Sequence, residues 1–252
     1  MITDPLFYVA AIPAVILLGL SKGGFTGVSM LAMPMIALVI SPIHGAAIIL
    51  PILIIQDAVG VWVYRKTWDR RNMAILLPSA FGGALVGYFF AAWVSDAAIA
   101  FSVGVISVVF GLRRLFLERG GRTPSASRAT IGAGMLWGGV SGFTSMIANA
   151  GAPPFQVYVI PQKLPKDLFI GTGILFFAGL NWFKLPLFIA LGQLSRDSLL
   201  TSLALFPLAI VSTWAGVLLV RRTSAERFFK LIYWLLIGVG TKLLWDGGRA
   251  LF

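Results

Sequence analysis

Cysteine is missing from all 252 residues, which excludes disulfides, thiolate metal sites and a cysteine nucleophile. Histidine occurs once, as His44, and a single imidazole cannot assemble a metal centre. The phosphate-binding Gly-x-x-x-x-Gly-Lys-Ser/Thr pattern, the zinc-binding His-Glu-x-x-His and the Gly-x-Ser-x-Gly nucleophile elbow are all absent, and no apolar run carries paired carboxylates. ATP hydrolysis and the common hydrolase chemistries are thereby excluded. No enzymatic activity and no cofactor is expected, and any uphill work must draw on an ion gradient, the membrane potential or a separate subunit. Charge is scarce as well: 12% of residues are charged against 58% hydrophobic. The mean hydropathy of +0.92 lies outside the range of water-soluble domains. The first five residues hold Asp4 and no Lys or Arg, so a cleaved secretory signal is not expected.

What is present is a series of apolar segments that fills nearly the whole chain and leaves no room for a soluble domain. Segments beginning near positions 44, 73, 97, 168, 199 and 225 run to about 20 residues, enough for a helix to cross a hydrocarbon core about 30 Å thick. Four others, 6–20, 28–40, 129–148 and 152–160, flank Gly- and Pro-rich breaks at Ser21-Lys22-Gly23-Gly24-Phe25-Thr26-Gly27 and at Asn149-Ala150-Gly151-Ala152-Pro153-Pro154. Each interrupted element either crosses or re-enters, and loop charge chooses between the two. With both re-entrant, Arg65 to Arg71, Arg113 to Arg128, Lys163 with Lys166, and Arg221 to Lys230 place 15 basic residues on one side, leaving Arg196, Lys242 and Arg249 opposite. With both crossing, the split is 12 against 6. The positive-inside rule therefore favours six crossings plus two hairpins, with basic loops in the cytoplasm and both termini outside. It also explains the net charge of +11 without a nucleic-acid partner.

Residues 6–117 and 129–245 read alike, each as one interrupted element followed by three spans. A shift of 127 pairs Gly24 with Gly151 and Pro34 with Pro161; a shift of 129 pairs Pro78 with Pro207, Gly87 with Gly216 and Gly111 with Gly240. Three crossings per half is an odd number, so the halves must be inverted. The fold expected is a single all-α, polytopic membrane domain of two inverted repeats. Each repeat holds one interrupted or re-entrant helical element plus three transmembrane helices, and 118–128 forms a cytoplasmic linker.

Broken helices leave backbone N–H groups unpaired in a medium with no other solvation, so the two breaks are candidate anion cradles. Lys22, Gly23 and Gly24 form the first, and Asn149, Ala150 and Gly151 the second. Asp57, next to Gln56, is the one acid well inside a span, and the shift of 127 sets Lys184 at its equivalent. An Asp57–Lys184 pair is expected to be structural, to gate, or to couple a proton; Asn181, about one turn from Lys184, shares its face. Helix packing by the glycines and an interfacial snorkel for Lys22 are the bland alternatives. His44 and the Trp and Tyr residues near span ends, Trp62, Tyr64, Trp68, Trp93 and Trp245, are read as interfacial.

Lys22-Gly23-Gly24-Phe25 with Pro34, and Pro51 through Asp57, resemble the first half of the sulfite exporter TauE/SafE family. Ser141-Gly142-Phe143-Thr144-Ser145, Ala148 to Pro154 and Asn181-Trp182-Phe183-Lys184-Leu185-Pro186 are similar to its second half. The second break departs from the glycine-rich run that the family often shows. The resemblance implies a multi-pass permease of the bacterial inner membrane, a secondary transporter for sulfite or an organosulfonate, with protons as the candidate coupling ion. A passive anion channel and a non-transporting membrane scaffold remain the rival readings.

Overall fold

The structure is a computed structural model, described over residues 1–22, 28–91, 93–119, 130–219 and 226–251. Ten α-helices, in chain order, make up the described chain: α1 (Pro5–Lys22), α2 (Ala32–Ala37), α3 (Pro42–Tyr64), α4 (Arg70–Ala91), α5 (Asp96–Arg119), α6 (Ile131–Ala148), α7 (Ala152–Val159), α8 (Lys166–Ala190), α9 (Arg196–Leu219) and α10 (Glu226–Leu251). A 3₁₀ turn, Val28–Leu31, leads into α2, and another, Ile160–Gln162, follows α7. No strand occurs among the described residues. Helices close their backbone bonds inside their own segments, one of the two architectures that lipid allows.

Seven of these helices are long and apolar enough to cross a membrane: α1, α3, α4, α5 over 96–113, α6, α8 and α9. Five of the six full spans expected from sequence are among them. The sixth corresponds to α10, which is 26 residues long and is not counted among the seven, which are drawn from the described residues. The two additions, α1 and α6, are the leading arms of the interrupted elements. At 18 residues each, they are about 27 Å long.

Both leading arms are followed by a short arm that turns back. Tyr158 near the end of α7 donates to the Thr130 carbonyl just before α6, at 3.1 Å. Beyond it, Gln162 exchanges two hydrogen bonds with Asn72 in the first turn of α4, at 2.8 and 3.1 Å. The α6–α7 element thus begins and ends at the same end of the bundle. At the opposite end, adjacent residues of α9 hold the starts of α1 and α3: Ile2 N–H donates to Thr201 Oγ1 at 3.0 Å, and Ser202 Oγ donates to the Ile48 carbonyl at 2.7 Å. The chain that leaves along α1 has therefore returned by the time α3 begins, and α2 packs on α1 on the way.

Helix pairing fixes the rest. The α1–α9 and α4–α6 pairs are parallel: Gly19 meets Ser212 and Gly216 along one, and Ile75, Ser79 and Met146 meet Gly134, Gly138 and Gly87 along the other. The α3–α8 and α5–α10 pairs are antiparallel, as Gly60 meets Ile174 and Tyr64 meets Gly171, while Phe101 meets Gly247 and Gly111 meets Tyr233. Exchanging the first five helices for the last five in order turns α1–α9 into α6–α4 and leaves the other two pairs in place. Glycine makes the closest of these approaches possible. A Cβ on Gly83 would lie 1.9 Å from the Gly139 carbonyl oxygen, and one on Gly142 would lie 1.9 Å from that of Ala80.

Candidate functional site

Asp57 is 1% exposed, and each of its carboxylate oxygens has a partner on a different helix. Oδ1 accepts from Lys22 Nζ at the end of α1. Oδ2 accepts from Asn181 Nδ2 on α8 at 2.7 Å. The Lys22 ammonium lies against this buried carboxylate as its ion-pair partner. The Asp57–Lys184 salt bridge expected from sequence is not formed.

Lys184 has gone elsewhere. Fully buried, it donates to Asn149 Oδ1 at 2.6 Å, to Ser145 Oγ at 3.0 Å and to the Ser145 carbonyl at 3.1 Å. Three acceptors match the three ammonium protons, and none of them carries charge. The Lys22–Asp57 and Asn149–Lys184 contacts both join residues 35 apart, and adding 127 to the first pair gives the second. The two halves thus make the same contact with different charges: cation on carboxylate in one, cation on amide in the other.

Asn149 is placed by backbone as well. It ends α6 in the left-handed region, at φ 48 and ψ 27, where Asn is tolerated better than most non-glycine residues. Its N–H donates to the Ser145 carbonyl at 3.0 Å and that of Ala150 to the Thr144 carbonyl at 3.2 Å. The Ala150 amide is thus occupied by the helix cap and is not a free donor of the cradle expected there. Gly151 presents its carbonyl to Ser141 Oγ at 2.7 Å, and Pro153 and Pro154 remove two more N–H groups from the start of α7. Gly23 and Gly24 of the first cradle lie outside the described residues.

A cavity of about 110 Å³ lies between the two interrupted elements, large enough for a few waters or a small solute. Lys22, Ser145, Asn149, Ala150 and Asn181 line it; Asp57, Lys184 and Gly151 do not. Gln56, fully buried on α3, ties to α1 by donating from Nε2 to the Val15 carbonyl at 3.1 Å, and its Oε1 has no partner among the described residues. His44 is exposed in the first turn of α3, and Trp62, Trp93 and Trp245 are exposed, as interfacial residues should be. Tyr64 is buried instead, because Gly171 of α8 brings that helix against it.

Ser145 is the site residue that sequence reading passed over. It lies four residues before Asn149, on the same face of α6, which is the signal that pointed to it.

The family model described as Sulfite exporter TauE/SafE matches residues 11–243. The chain belongs to the sulfite exporter TauE/SafE family. No curated protein and no solved structure matches it. As a TauE/SafE member with seven helices apolar enough to cross a bilayer, it is a multi-pass membrane protein of a transporter family. The matched range contains both helix breaks and every charged residue of the site, so Lys22, Asp57, Asn149 and Lys184 belong to the part that is TauE/SafE in kind.

Proposed function

We propose that the protein is a secondary carrier of the bacterial inner membrane that moves sulfite or a sulfonate by alternating access around the central cavity. One observation carries the reading. Among the described residues, Lys22, Asp57 and Lys184 are the charged residues buried deep in the spans, and with both lysines protonated they leave one positive charge with no carboxylate against it. A cation in mid-membrane costs about 2.5–3.5 kcal/mol by insertion scales, so keeping an unbalanced one without a use is expensive. An anion in the cavity offsets that cost. Lys22 contacts it directly, since among the described residues Asp57 alone occupies an ammonium proton and two remain. Lys184 acts from behind, through Asn149 and Ser145.

The halves operate as inverted repeats, and the antiparallel packing of α3 on α8 and of α5 on α10 supports a pseudo-two-fold axis in the membrane plane. Asp57 is the coupling group. A proton on it releases Lys22, strengthens the site's positive charge and favours the anion; its loss restores the ion pair and expels the anion. Gln56 and Asn181 hold the carboxylate's helix and one of its oxygens through this cycle.

The test is sulfite flux through purified protein in liposomes, with and without a pH gradient, for wild type, Lys22→Met and Asp57→Asn. Gradient-driven flux is expected in wild type, little flux in Lys22→Met, and residual flux blind to the gradient in Asp57→Asn. Full transport by Lys22→Met removes the central cation from the account. Flux that never responds to the gradient, in wild type included, makes the protein a passive anion channel.

A further inference from the structure

We propose that the rim formed by the α3–α4 and α7–α8 corners is a binding site for an acidic phospholipid, with the lipid phosphate among Arg65, Lys66, Arg70 and Lys163 and its acyl chains passing Trp62. The site lies apart from the cavity and does not depend on which anion the protein moves.

The rim joins residues 90 and 103 positions apart in the chain. Asp69 N–H donates to Thr172 Oγ1 of α8 at 2.8 Å, Asn72 and Gln162 exchange their amides, and a Cβ on Gly171 would lie 1.8 Å from the Thr67 carbonyl oxygen. Segments 65–71 and 160–167 together hold six basic residues and two acids. All six cations are exposed, and Lys66, Arg70 and Lys163 enter no ion pair among the described residues. Of the acids, Asp69 is half-buried, with Oδ1 accepting from the Asn72 N–H at 2.7 Å, and Asp167 is exposed. The linking segments at the other end, 38–44, 92–96 and 191–197, hold one Arg and two Asp.

The positive-inside rule asks only that basic residues lie on one side. It does not ask that one of them be held in place, as Arg65 is. Its guanidinium lies 4.1 Å from the centroid of the Trp62 ring, Nη1 donates to the Trp62 carbonyl at 2.9 Å, and its own carbonyl accepts from Trp68 Nε1 at 3.1 Å. Trp62 is 67% exposed on the last turn of α3, where an indole sits at headgroup level. The guanidinium fork therefore keeps donors for a phosphate at the depth where lipid phosphates lie. A free phosphate would use the cations and leave the indole bare; a lipid uses both.

Lys163 makes a second point. It ends the 3₁₀ turn after α7 in the left-handed region, at φ 51 and ψ 41, which glycine adopts at lower cost. That backbone sets a cation one residue beyond Gln162, the residue that ties this turn to α4. A headgroup shared by Arg70 and Lys163 clamps the returning end of the α6–α7 element onto α4.

The experiment is thermal unfolding of the purified full chain in maltoside micelles titrated with phosphatidylglycerol, phosphatidylcholine or inorganic phosphate. Phosphatidylglycerol is expected to raise the melting midpoint saturably, and the other two to leave it in place. Each cation lost from a lipid-binding surface costs about fivefold in affinity, so Arg65→Gln, Lys66→Gln and Arg70→Gln should each need severalfold more phosphatidylglycerol for half the rise. Arg196→Gln/Arg249→Gln, at the other end, should respond as wild type. Lys163→Gly separates lipid binding from folding: it should melt at or above wild type without lipid, because glycine takes φ 51 without strain, and yet need severalfold more phosphatidylglycerol. An equal rise with phosphatidylcholine, no rise with phosphatidylglycerol, or equal weakening in Arg196→Gln/Arg249→Gln overturns the site. An equal rise with inorganic phosphate alone overturns the lipid as its occupant.

Discussion

Lys184 Nζ stands 2.6 Å from Asn149 Oδ1, in the position that the internal repeat assigns to the Lys22–Asp57 ion pair of the other half. The two contacts differ in charge, with a carboxylate facing one lysine and an amide facing the other. The following expectations rest on that asymmetry or on the fold that produces it.

Removing one member of the buried ion pair leaves the other uncompensated. Asp57→Asn and Lys22→Met should each lower stability by about 3–5 kcal/mol, and Lys22→Met/Asp57→Asn should recover part of the loss. Thermal unfolding in detergent reads this as a double variant that melts above the less stable single one. Strictly additive losses would mean that the two groups do not act as a pair.

The α4–α6 seam depends on two glycines that have no room for a methyl group. Gly83→Ala and Gly142→Ala each drive a Cβ to 1.9 Å from a backbone carbonyl oxygen, and backbone cannot swing aside as a side chain does. Losses of at least the 1–3 kcal/mol of ordinary overpacking are expected, with low yields of folded protein. Gly82→Ala, whose Cβ would meet nothing within 4 Å, is the control and should behave as wild type.

Because the chain has no cysteine, topology is open to single-cysteine labelling without prior mutation. Lys66, Lys163 and Ser195 are all exposed. Lys66→Cys and Lys163→Cys should react with an impermeant maleimide only from the cytoplasmic face, and Ser195→Cys only from the outer face. Labelling of Lys66→Cys and Lys163→Cys from opposite faces would mean that the α6–α7 element crosses the membrane instead of returning.

Much of this was legible from sequence, for identifiable reasons. Apolar length set the long helices, and the breaks after Lys22 and at Asn149 fell where the leading arms end, because glycine, proline and a left-handed Asn cannot continue a helix. The shift of 127 set Lys22 against Asn149 and Asp57 against Lys184. It did not tell which residues touch. Both lysines can reach Asp57 in principle, and the choice is made by how α1, α3 and α8 converge, a matter of packing that a linear register does not contain. The loss of the Ala150 amide to the helix cap was hidden similarly, since it depends on the φ of Asn149 and not on composition. Ser145, one turn before Asn149 on α6, had no role as long as Lys184 was set against Asp57.

The most direct test of the unbalanced charge is sulfite binding to Asn149→Asp beside wild type, measured at equilibrium in nanodiscs. The substitution keeps the size and backbone preference of Asn149 while setting a carboxylate against Lys184, which gives the second half the ion pair of the first and brings the site to neutrality. The account predicts a protein at least as thermally stable as wild type that binds sulfite at least tenfold more weakly. Wild-type affinity in a folded Asn149→Asp protein would contradict it, because the charge that Lys184 leaves uncompensated would then have no part in holding the anion.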